Sequence, residues 1–120
     1  MDYKDMIFNW LSTFATTSRG RPLTTPGDPY IQYDLVEASF AEHFIQPLSI
    51  YHIGANGYGD IMTIKNAIEA NIGESGRTLR SEDCIVRIYK GSPFYQDRDM
   101  GEENAKAGYI NLEITILKEI

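Results

Sequence analysis

The chain of 120 residues contains a single cysteine, Cys84. That count excludes an intrachain disulfide and a zinc centre built on cysteines. Cys84 falls among alternating apolar residues and reads as a small buried side chain. A reactive thiol would need a close basic group, and only Arg87 is near in sequence. The chain suits a reducing compartment. Histidine is almost as scarce, with His43 and His52 the only two. Their spacing supports no Ser-His-Asp or Cys-His constellation. Glu42 beside His43 reads as a polar turn rather than a metal ligand. No run approaches the roughly 20 apolar residues of a membrane span. The N-terminus lacks the basic start and apolar stretch of a signal peptide.

Positive charge is also in short supply. The formal net charge is −6, and lysine and arginine are scattered, with Arg19 and Arg21 the nearest approach to a cluster. Such a field repels a polyanion and disfavours a general phosphate-binding surface. What remains is an ordinary globular composition, with 42% hydrophobic and 23% charged residues. The length fits one domain spanning residues 1–120.

Hydrophobic periodicity supplies the elements. Ile7, Trp10, Leu11 and Phe14 form one helical stripe, with Asp2 placed to cap it and Asp5 in its first turn. Residues 16–20 are expected to end this helix. Residues 18–29 hold three prolines and two glycines and read as a loop. Ile31, Tyr33 and Leu35 alternate as a half-buried strand. Residues 45–53 make a second strand, which Pro47 assigns to an edge or a bulge. A turn is expected around Ala41, Glu42 and His43.

Gly54, Gly57 and Gly59 lead into a helix that Asp60 is expected to cap. Ile61, Ile64, Ile68 and Ile72 line one face, and Gly73 ends the helix. The glycines do not have the spacing of a dinucleotide loop, no Gly-Lys-Ser/Thr follows, and Asp60 puts a carboxylate where a phosphate would sit. Cys84, Val86 and Ile88 alternate over residues 83–90. In the last strand Ile110, Leu112, Ile114 and Ile116 point one way, and Tyr109, Asn111, Glu113 and Thr115 the other. The order α-β-β-α-β-β implies an α+β fold, a mainly antiparallel four-stranded sheet flanked by two helices.

Residues 91–107 read as a long loop between two core strands. Loops of that length in compact domains are often functional. Asp97, Asp99, Glu102 and Glu103 give it a cluster of carboxylates. It lacks the calcium-loop pattern and has Arg98 in its midst, so it reads as solvated. Adjacent Phe94 and Tyr95 suit a protein interface. Phe94 reads equally as folding back on the core. No catalytic, metal or cofactor residue is expected.

Ile85-Val86-Arg87-Ile88, then Gly91-Ser92-Pro93-Phe94-Tyr95-Gln96-Asp97, then Gly108-Tyr109-Ile110-Asn111-Leu112-Glu113-Ile114 resembles the tail terminator (tail completion, minor capsid) proteins of long-tailed bacteriophages. The match is most specific over residues 85–116. The resemblance implies a non-enzymatic virion protein that needs no cofactor. It would form a homo-oligomeric ring, usually of six copies, on the end of the tail tube. Such a ring ends tube polymerisation and provides the head-joining surface. Its partners would be copies of itself, the tail tube protein and head–tail connector proteins, and the resemblance implies that Phe94, Tyr95, Gln96, Asp97, Arg98 and Asp99 face a neighbouring subunit, the tube or the lumen. DNA would pass through without specific binding, and assembly would take place in host cytoplasm. Two alternatives are a connector or neck protein and a non-viral adaptor module.

Overall fold

A computed structural model describes residues 2–20, 29–37, 42–53, 57–99 and 105–119. Two helices and six strands follow in the order α1 (Tyr3–Ser12), β1 (Thr16–Arg19), β2 (Tyr30–Tyr33), β3 (His43–Ile53), α2 (Gly57–Ile72), β4 (Arg77–Arg80), β5 (Cys84–Asp99) and β6 (Ala105–Glu119). The strands form one sheet in the order β1-β2-β3-β6-β5-β4. It is mixed, because β1 pairs parallel to β2 while every other pair is antiparallel. The sheet curls into a half-barrel.

The expected four-stranded antiparallel sheet in the order α-β-β-α-β-β is thus incorrect in strand number, strand direction and element order. Three segments account for the difference. Thr16–Arg19 was expected to close the first helix and is the edge strand β1. Arg77–Arg80 was not anticipated, and it forms the opposite edge, β4. Both are four residues long with only half-buried and exposed positions, so neither carries the apolar alternation that reveals a strand.

The third segment is the expected loop at 91–107, where β5 instead continues to Asp99 and β6 begins at Ala105. Pairing shifts between Lys90 and Tyr95. Lys90 stands opposite Leu112 and Tyr95 opposite Ile110, so four residues of β5 face the single Asn111. The extra residues fold as a bulge, which lets Gly and Pro reside in a long strand. The Asn111 amide donates to Pro93 O at 2.9 Å and ties the bulge down. Gly91 is required there, since a Cβ would lie 2.7 Å from the Asn111 carbonyl oxygen.

Both helices pack on one face of the sheet. The core joins Ile7 and Leu11 of α1, Ile61, Ile64, Ile68 and Ile72 of α2, and Ile31, Leu48, Ile50, Val86, Ile88, Ile110, Leu112, Ile114 and Ile116 of the strands. All four inward side chains of β6 are fully buried. Each such burial contributes on the order of 1.5–3 kcal/mol before entropy is counted. Trp10 Nε1 donates to Asn71 Oδ1 at 2.9 Å and ties the two helices together. Asp2 accepts from Asp5 N at 3.0 Å and caps α1. Helix α2 starts at Gly57, so Asp60 lies in its first turn rather than at its cap. Gly73 ends it at φ +70°.

Gln46 is fully buried on the covered face. Its Nε2 donates to Asp34 O and Pro47 O, each at 2.9 Å, and its Oε1 accepts from Val36 N at 3.0 Å. These bonds do for the segment after β2 what a continued strand ladder would do. Beta-2 itself pairs with β3 only from Ser49 to Tyr51. Pro47 lies beyond that stretch, where among the described residues β3 has no strand on its β2 side and a missing N–H is tolerated.

Candidate interaction surface

Side chains alternate across a strand, so the register defines what the second face of the sheet presents. One rung crosses Tyr30, Tyr51, Ala107 and Arg98, and the next crosses Gln32, Ser49, Tyr109 and Gln96. Beyond them Pro47 pairs with Asn111, Ile45 with Glu113, and His43 with Thr115. Tyr89 and Arg87 extend the last two rungs onto β5. No described helix lies on this face.

The surface is aromatic and polar with little net charge. The rings of Tyr30 and Tyr51 are 5.5 Å apart. The Arg98 guanidinium stands 5.3 Å over the Tyr109 ring, and that of Arg87 5.2 Å over Tyr89. Arg87 also donates to Thr78 Oγ1 at 2.9 Å and Ser75 O at 2.7 Å, which fixes the β4 hairpin. His43 Nδ1 lies 2.9 Å from Thr115 Oγ1. A hollow of about 300 Å³ opens between Gln32, Pro47, Ser49, Gln96, Tyr109 and Asn111. Amides and hydroxyls around tyrosine rings give adaptable hydrogen bonds beside rigid apolar area, the composition of wet protein interfaces. Among the described residues two large aliphatics stand out in water, Ile45 at 44% and Leu117 at 47% exposure.

The six residues expected to form the interface do not share one surface. Phe94 is half-buried in the bulge and packs against the core. Tyr95 and Asp97 pair with Ile110 and Gly108 and so lie on the helix side. The Tyr95 ring lies over Gly108, where a Cβ would approach it to 2.5 Å. Lys65 of α2 reaches to 5.8 Å above that ring. The Tyr95 hydroxyl donates to Asp97 Oδ1. Only Gln96 and Arg98 reach the open face, next to Tyr109. Asp99 is the last residue of β5. Glu102 and Glu103 of the expected carboxylate cluster lie outside the described residues.

Tyr51 and Ser49 were not among the expected interface residues. The signal was present for Tyr109 and Asn111, placed opposite the apolar row of the last strand, and for Gln32, which lies between Ile31 and Tyr33 in the alternation of β2.

On the covered side, His52 Nδ1 lies 3.1 Å from Asp60 Oδ2 at the start of α2. The Glu69 carboxyl is held below its ordinary range by hydrogen bonding from Lys65 and, to a lesser degree, from Lys90. Among the described residues, no three His, Cys, Asp or Glu side chains gather as a metal site. No described helix is long and apolar enough to cross a membrane. No protein-family model matches the chain, and neither curated proteins nor solved structures give a match.

Proposed function

We propose that the chain is a structural subunit of a phage virion, a tail terminator that assembles as a ring on the tail tube. The observation that carries this reading is the open sheet face. The described residues place both helices on one side of the sheet and leave Tyr51, Tyr109, amides and the exposed Ile45 on the other. Such a face suits a protein partner. The resemblance of residues 85–116 to tail terminators supports the specific assignment. In this role the ring, of about six copies by that resemblance, ends tube growth and joins the tail to connector proteins of the head. DNA passes through its lumen, and the net charge of −6 favours passage over retention. Neither a catalytic step nor a cofactor belongs to this reading.

Light scattering across a concentration series, with co-sedimentation against polymerised tail-tube protein, tests it. A closed oligomer that binds tube ends and limits tube length is the expected result. A monomer at every concentration that leaves tube growth unchanged would overturn the proposal.

A further inference from the structure

We infer that copies of this chain join edge to edge, the outer side of β1 in one copy pairing antiparallel with the outer side of β5 in the next. This inference rests on the self-assembly reading above and names its contact.

The sheet has two terminal strands at the same level. Among the described residues β1 pairs only with β2. Beta-4 covers β5 only from Ile85 to Ile88, so from Tyr95 onward β5 ends the sheet among the described residues. Three consecutive rungs run from one edge to the other. Thr16 connects through Tyr30, Tyr51 and Ala107 to Arg98. Thr17 connects through Ile31, Ile50 and Gly108 to Asp97. Ser18 connects through Gln32, Ser49 and Tyr109 to Gln96. A second copy placed beside the first at the same level therefore brings its β1 against this stretch of β5.

Direction and charge agree with that placement. One parallel and three antiparallel pairings separate β1 from β5, so the two run in opposite directions. An intermolecular pair that keeps the strand axis is then antiparallel. Level pairing puts Thr17 opposite Asp97, with their helix-packed faces on the same side. Arg19, two residues on, shares that face and lies diagonal to Asp97, within reach of a long side chain. An edge carrying a guanidinium thus meets an edge carrying a carboxylate, while a β5 edge centred on its own Asp97 would set carboxylate against carboxylate. Space exists for the joint: a hollow of about 480 Å³ lies beside β1, lined by Asp5, Phe8, Thr17, Ser18 and Arg19. The contact uses two different surfaces, so repetition generates a head-to-tail series that closes if the rotation permits.

The test is disulfide trapping in the full chain, with buried Cys84 left in place. Mild oxidation of the Thr17→Cys/Asp97→Cys chain should give a covalent ladder on non-reducing gels that collapses with reductant. Thr17→Cys/Ser49→Cys, whose second cysteine lies within the open face, should give none. In parallel, Arg19→Glu should raise the concentration needed for assembly by about fivefold, and adding Asp97→Arg to it should restore assembly. These charge variants carry the test if the cysteine pair fails to fold. Oligomers by light scattering without a ladder, a ladder equal in the control pair, or assembly indifferent to the charge reversal would overturn the edge joint. A chain monomeric throughout would instead overturn the self-assembly reading beneath it.

Discussion

Neighbouring residues of β6 serve two different surfaces. Ile110, Leu112, Ile114 and Ile116 are sealed under the helices, whereas Tyr109, Asn111, Glu113 and Thr115 stay half-exposed on the other side. The covered face is held by burial, which is non-directional and costly to interrupt. The open face is held by contacts that water can largely replace. Stability should therefore concentrate on one side and recognition on the other.

The sharpest way to break the comparison is a charge on the covered side. Leu112→Asp puts a carboxylate among fully buried aliphatics, and more than about 4 kcal/mol of stability should be lost. Circular dichroism should show no cooperative melt. A folded Leu112→Asp chain would mean that the helix-covered face is not the core.

Next in size is Gln46, a fully buried polar side chain of that face. Gln46→Leu keeps the volume but leaves Val36 N and Asp34 O without their partner. A loss of about 2–4 kcal/mol is expected in urea unfolding. Faster hydrogen exchange at Val36 would trace the loss to the segment that Gln46 holds.

How far the two faces can be read in advance depends on strand length and burial. Beta-6 offers four alternating aliphatics, enough to fix both of its faces before any coordinates. Helix α2 is equally plain, because Ile61, Ile64, Ile68 and Ile72 repeat at helical spacing. The edges are not legible, since Thr16–Arg19 and Arg77–Arg80 bury little and their pairing is decided by the strands beside them. The region after Gly91 misleads for another reason. Gly and Pro signal a loop, yet a bulge anchored on Asn111 absorbs them and the strand resumes at Tyr95. Resumed alternation then sends Tyr95 and Asp97 to one face and Gln96 and Arg98 to the other, dividing an interface that looks contiguous in sequence.

On the open face the expectation reverses. Tyr109→Ser removes the ring beneath Arg98 and the centre of the hollow. Thermal stability should change by only about 1 kcal/mol. Under the proposed function, binding to polymerised tail-tube protein, followed by co-sedimentation, should weaken about tenfold. A large drop in melting temperature with that binding intact would erase the distinction between the faces.

The smallest effect probes an imperfection of the covered side. Tyr33 is buried there, and its hydroxyl closes no hydrogen bond of good geometry. Burial raises its pKa above the ordinary 10.0, and the nearby Arg19 guanidinium offsets part of that rise. The folded state thus favours the neutral phenol. Its contribution to stability is fully present below pH 10.0 and is lost as pH climbs from there toward the folded-state value. Tyr33→Phe removes the unsatisfied hydroxyl and the titration together. At pH 7 the variant should match or exceed the parent by up to about 1 kcal/mol. Above pH 10.0 its advantage should widen, because only the parent must ionise a buried phenol as it unfolds. Paired urea titrations at neutral and alkaline pH measure both quantities, and an advantage that shrinks with rising pH would show that Tyr33 is not desolvated in the folded chain.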